Sequence, residues 1–172
     1  WHSNAILNNV NIVNNGGGYS YRGGGVYIYH SNPIFNDVNI GDNFGQYGAG
    51  ILIEHNSHPI FSNVFIYDNV ALSYGGAIHT LGASLTASSI FITNNYAQHK
   101  AGGIFLGSEL INSENEVFLQ NTIIANNYSE GHGSGIFLSA GSKIFLQNST
   151  IVGNMVGEGD VFGAGIYSDG GN

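Results

Sequence analysis

One phrase recurs six times along the 172 residues and decides what this chain can fold into. Small residues are followed by a β-branched one: Gly23-Gly24-Gly25-Val26, Gly48-Ala49-Gly50-Ile51, Gly75-Gly76-Ala77-Ile78, Ala101-Gly102-Gly103-Ile104, Gly133-Ser134-Gly135-Ile136 and Gly163-Ala164-Gly165-Ile166. The steps between the apolar members are 25, 27, 26, 32 and 30 residues. Between them runs a second phrase, Val-x-Ile-x-x-Asn, with copies ending at Asn15, Asn43, Asn69, Asn95, Asn127 and Asn154. A fixed period of this size marks a repeat architecture. A single unit cannot bury its own apolar face, and stacked units can.

The apolar positions alternate (Val26 with Ile28, Ile51 with Ile53, Val10 with Ile12), which is strand periodicity. No segment holds the i, i+3, i+4 spacing of a helix. Each unit therefore reads as three short strands broken by Gly or Asn corners. The expected fold is all-β: a parallel β-solenoid of about six coils, one turn per unit, forming a single domain over residues 1–172. Loop insertions are expected near 16–22, 107–116 and 155–162. At the ~4.8 Å spacing of neighbouring strands, six coils make a rod roughly 29 Å tall.

Stacking accounts for an unusual composition. Glycine (27) and asparagine (23) supply 50 of 172 residues, far above an ordinary share. Equivalent residues on successive coils lie one above another. The six phrase-ending asparagines can then form a ladder in which each amide donates to one neighbour and accepts from the other. Asparagine also tolerates left-handed backbone geometry at a corner. The residue six earlier (Asn9, Asp37, Asn63, Ser89, Asn121, Asn148) is likewise mostly amide or acid. The glycines permit positive φ or close backbone approach where each strand begins.

Charge excludes several partners. Three basic residues stand against 11 acidic ones, for a net charge of −8. Arg22, Lys100 and Lys143 are far apart in sequence, so the clustered cations that nucleic acid or an anionic membrane surface requires are missing. No apolar run approaches the ~20 residues of a membrane-spanning helix. With no cysteine, disulfides and thiolate chemistry are excluded.

The Gly-Gly-Ala-Ile phrase at 75–78, with the Gly-x-Gly-Ile and Asn-Pro-Ile-Phe phrases around it, resembles the right-handed parallel β-helix repeat family, which has the pectin-lyase-like fold. Similar units occur in bacterial surface and secreted proteins, including polymorphic outer-membrane adhesins. The resemblance implies right-handed coils, a hand that agrees with the chirality of parallel crossovers. It does not fix an activity, because the fold hosts lyases, hydrolases, adhesins and structural proteins. Lyases of this fold use acids to hold calcium and a basic residue as catalytic base, yet Arg22 has no acidic cluster near it in sequence. Hydrolases of this fold carry Gly-His-Gly with paired aspartates. Gly131-His132-Gly133 is present, but Asn126-Asn127 stand upstream and no Asp-Asp pair occurs. No catalytic residue, metal or cofactor is therefore assigned, and the chain reads as a non-enzyme.

Two sets of side chains offer a weaker metal reading. His30 shares one column with His55 and another with His2, a row that could take zinc or copper; polar corner residues explain it better. Glu109, Glu114 and Glu116 fall in one insertion and read as a solvated loop rather than a calcium site.

Alternation turns Tyr27, Leu52, His79, Phe105, Phe137 and Tyr167 outward. This mostly aromatic stripe is expected to be an exposed contact surface for a glycan or a protein. A second outward series is Asn11, Asn39, Phe65, Phe91, Ile123 and Thr150. The sequence opens in mid-unit at His2 and closes on a unit's first strand at Ile166. If a second copy followed, Ile166 would lie 18 residues from its Ile12, inside the observed 14–20. The leading expectation is an extracellular or cell-surface structural or adhesive solenoid. It would stack head to tail into a filament or continue through flanking repeats as a stalk. The alternative is a polysaccharide-active enzyme or a glycan-binding module.

Overall fold

In a computed structural model, residues 3–16, 22–107, 115–159 and 161–170 are described. Among them there is no helix, and every strand pairing is parallel. Each coil passes through three sheets. The first holds the long strands Ile6–Val13, Ile34–Gly41, Ile60–Tyr67 and Leu85–Thr93, continued by Asn115–Gln120 with Ile123–Ala125 and by Ser142–Gln147 with Thr150–Val152. The second holds Phe44–Tyr47, Val70–Tyr74, Tyr96–Ala97, Tyr128–Ser129 and Met155–Val156. The third holds Val26–Tyr29, Ile51–Glu54, Ile78–Leu81, Ile104–Gly107, Ile136–Ser139 and Ile166–Asp169. The register matches the repeat: Ile51 pairs with Ile78, Ile78 with Ile104, and Ile104 with Ile136.

Inward-facing side chains of the first and third sheets fill the coil. Val38, Ile40, Val64, Ile66, Ile90, Ile92, Ile51, Ile78 and Ile104 are fully buried in one continuous core. Phe35 and Phe61 meet edge to face in it, ring centroids 4.8 Å apart. Burial of each such side chain is worth about 1.5–3 kcal/mol. Along the second sheet the inward column shrinks to Gly45, Ala71 and Ala97, with Ala49 of the following corner packed against the alanines.

The asparagine ladder is continuous. Nδ2 of Asn15, Asn43, Asn69, Asn95 and Asn127 each donates to Oδ1 of the next asparagine at 2.9–3.1 Å. The backbone N–H of each donates to that same Oδ1. From Asn43 onward, Nδ2 also donates backward, to the carbonyl of Ile12, Ile40, Ile66, Ile92 or Ile124. Both amide ends are thus occupied at a site without water, as a buried polar group requires.

The left-handed backbone expected at these asparagines sits one residue earlier, at Asn14, Asp42, Asp68, Asn94, Asn126 and Gly153 (φ 51–65°). The corner residue turns the chain, and the asparagine after it points its amide inward. A second left-handed column, Asn9, Asp37, Asn63, Ser89, Asn121 and Asn148, bends the first sheet midway. It explains the amide-or-acid preference seen six residues before the ladder. The insertions are narrower than expected. Glu116 lies in a strand and pairs with Lys143 at 3.0 Å, and Met155–Val156 is a strand of the second sheet. Gly16 and Arg22 both form parallel bridges. The rest of the 16–22 insertion, and Glu109 and Glu114, lie outside the described residues.

The corner opening each third-sheet strand has φ +54 to +66° at Gly23, Gly48, Gly75, Gly133 and Gly163, and at Ala101. Gly75→Ala would place a Cβ 2.4 Å from the Ile78 carbonyl oxygen in a left-handed conformation. We expect it to cost about 1–2 kcal/mol in urea unfolding. Ala101 (φ 56°) shows that the corner survives a methyl, so the variant will fold.

Candidate functional site

The stripe expected to be exposed does point away from the coil interior, but most of it is covered. Leu52, His79, Phe105 and Phe137 are 0–9% exposed; Tyr27 is exposed and Tyr167 half-buried. Much of the cover comes from residues just before left-handed corners: Tyr47, Tyr74, Lys100 and His132. Each of these side chains reaches over the outward residue of the following coil. Tyr47 meets His79 edge-on, with centroids 5.8 Å apart. Tyr74 stacks on Phe105 at 4.9 Å, Lys100 Nζ lies 4.3 Å from the Phe137 ring centre, and His132 stacks on Tyr167 at 4.8 Å. Phe105 and Phe137 also stack on each other at 5.0 Å. A second, external core results. Alternation alone misses it, because the covering residue belongs to the preceding coil.

This placement gives Lys100, His132 and Arg22 structural settings. Lys100 is a half-buried lid on Phe137, its ammonium over the ring. His132 accepts a hydrogen bond at Nδ1 from the Phe162 N–H and stacks on Tyr167, a structural setting. Arg22, without an acid near it in sequence, has one in space: Nη1 contacts both carboxylate oxygens of Glu54 at 3.0–3.1 Å. Glu54 is 2% exposed and also accepts from the Tyr27 hydroxyl at 2.7 Å. Burial and that carboxylate together hold the Tyr27 phenol up at about 12. Glu54 is therefore committed to a cation and a phenol.

Among the described residues, no group of three or more His, Asp or Glu side chains converges as a metal site would. His30 and His55 do share a column, both with left-handed φ, their ring centroids 5.3 Å apart beside Tyr29. His2 lies outside the described residues. The other outward series stacks within its own column. Asn39 donates to Asn11 at 2.7 Å, and Phe65 lies flat on Phe91 at 4.5 Å, with Phe65 still 41% exposed.

His79 is the exception in the covered stripe. Its column otherwise holds only Tyr, Leu and Phe. The imidazole is 5% exposed, and neither ring nitrogen has a hydrogen-bond partner. Burial, helped by the Arg22 charge, depresses its pKa to about 3, so it is neutral at ordinary pH. It lines a cavity of about 380 Å³ together with Tyr47, Tyr74, Phe105, Leu81 and the Arg22–Glu54 pair. The sequence offers one signal for this site, a lone histidine in an aromatic and aliphatic column.

Comparison with known families matches the model described as "right handed beta helix region" to residues 1–172. The chain belongs to the right-handed β-helix family. The three parallel sheets agree with that membership. No curated protein and no solved structure matches the chain.

Proposed function

We propose that this β-helix is a structural, non-enzymatic protein of the cell exterior, whose end coils are stacking surfaces for further coils of the same kind. The observation that carries the reading is the contrast within single columns. Ile104 and Ile136 are fully buried, whereas Ile166, the next member of the column, is 44% exposed. At the N-terminal end Val10 and Ile12 are half-buried where their partners Val38 and Ile40 are fully buried, and at the other end Leu146 is 36% exposed where its partner Leu119 is 2%. Asn69 is fully buried, whereas Asn15 is exposed with its amide already aligned in the ladder. The end coils therefore offer unfilled strand edges, an apolar interior and a ladder in register, which another coil would complete. That coil belongs either to a second copy, giving an open head-to-tail fibre, or to adjoining repeats of one polypeptide.

The test is sedimentation of the 172-residue chain over a concentration series, with negative-stain microscopy of the same samples. Concentration-dependent, end-to-end association is expected, and Ile166→Glu with Leu146→Lys should abolish it. A chain that stays monomeric at the highest soluble concentration overturns the reading. The enzyme and glycan alternatives draw less support. Glu54 is a single committed carboxylate where glycoside hydrolysis needs two, and the stripe offered to a glycan is mostly buried.

A further inference from the structure

We propose that the cavity lined by His79 is a binding site for a small, uncharged, planar ring bearing one hydroxyl, a phenol, with the His79 imidazole as its hydrogen-bond partner. The inference is independent of end-to-end stacking. It begins from an anomaly. Buried polar atoms in native proteins have partners, and here two ring nitrogens of one side chain have none. Leu52 below and Phe105 above show that the column accepts apolar residues, so the fold does not require a histidine there. A local choice that opposes stability is the usual mark of a binding site.

The lining defines the ligand class. Tyr47 and Tyr74 have centroids 5.8 Å apart, and Phe105 stacks on Tyr74; these are flat apolar walls suited to a planar ring. The cavity, about 380 Å³, lies at the small end of the ligand-pocket range. Polar capacity is scarce. Glu54 is occupied by Arg22 and Tyr27, and the Ser139 hydroxyl donates to the Leu106 carbonyl. Of the polar atoms in this lining, the two His79 nitrogens are the buried ones without a partner. Neutral imidazole offers one donor and one acceptor, enough for one hydroxyl. A sugar would bury several hydroxyls without partners, at a cost for each. A cation would meet the Arg22 charge that already acts on His79. The nitrogens are screened by the Tyr47, Tyr74 and Phe105 rings. Entry therefore requires the half-buried Tyr47 or Tyr74 to turn aside, a rotamer change at the surface.

The test titrates the purified chain with 4-methylphenol by calorimetry, alongside toluene, methyl β-galactoside and benzyltrimethylammonium. Saturable one-to-one binding of 4-methylphenol is expected, with toluene at least tenfold weaker. His79→Phe should weaken 4-methylphenol at least tenfold. In the unsubstituted protein, ¹⁵N-histidine spectra should show one imidazole shifting on titration, a readout that does not depend on any variant folding. Lack of saturable binding, equal affinity for toluene, tighter binding of the galactoside or the ammonium, or an unshifted imidazole would each overturn the proposal.

Discussion

Asn69→Ala should cost about 3–5 kcal/mol of unfolding free energy, against about 1 kcal/mol for Asn15→Ala, although the two residues occupy the same column. Four hydrogen bonds end on the Asn69 amide. Its Oδ1 accepts the Asn43 N–H and Asn43 Nδ2, and its Nδ2 donates to the Asn95 Oδ1 and the Ile40 carbonyl. Truncation removes all four from a space closed to water: the Asn43 N–H loses its acceptor, and Asn43 Nδ2, Asn95 Oδ1 and the Ile40 carbonyl each lose one bond. Asn15 donates to Asn43 and to the Val13 carbonyl from an exposed position where water can substitute. Urea titrations of both variants give the comparison directly. Equal losses would show that the ladder ornaments a fold held by the apolar core alone.

His79→Phe should raise stability at pH 8 and flatten the acid limb of the stability curve. At pH 8 histidine is neutral folded and unfolded, and the gain is relief of two buried nitrogens, about 1–3 kcal/mol. Phenylalanine continues the stacked run of Phe105 and Phe137. The pH effect has a definite sign. The folded pKa, about 3, lies below the unfolded 6.5. The unfolded chain therefore takes up a proton that the folded chain refuses. Stability falls as pH drops from 6.5 toward 3, by about 1.4 kcal/mol per unit from this group. Above 6.5 the group contributes no slope. The phenylalanine variant lacks this component, so the stability difference between the proteins widens as pH falls through that window. Parallel curves from pH 8 to pH 4 would mean that His79 gains solvent or a partner when charged.

The architecture was legible because a solenoid writes its contacts as a period. Aligning Ile51, Ile78 and Ile104 in sequence aligns them in space, and the ladder asparagines follow from the same alignment. What lay one residue or one coil off the column was harder to see. The left-handed corner at Asp42, Asp68 and Asn94 is itself an Asn-or-Asp column, yet the neighbouring asparagines drew the assignment. The exposed-stripe expectation failed for a geometric reason. Alternation tells which side of a strand a residue occupies, not what lies above that side. Tyr74 and Lys100 cover Phe105 and Phe137 by leaning one coil along the axis. The Arg22–Glu54 contact spans 32 residues and becomes visible only once corners and strands are registered together.

The amide row also has a sense. In its asparagine-to-asparagine bonds, Nδ2 and N–H always give toward the C-terminal neighbour, and Oδ1 receives from the N-terminal one. The two ends of the row are therefore chemically unlike, a lone-pair oxygen at Asn15 and amide hydrogens at Asn154. Two copies meeting by equal faces would set oxygen against oxygen or hydrogen against hydrogen. Only a tandem, same-direction joint preserves the row, so an assembly of these units would carry an arrow from one tip to the other.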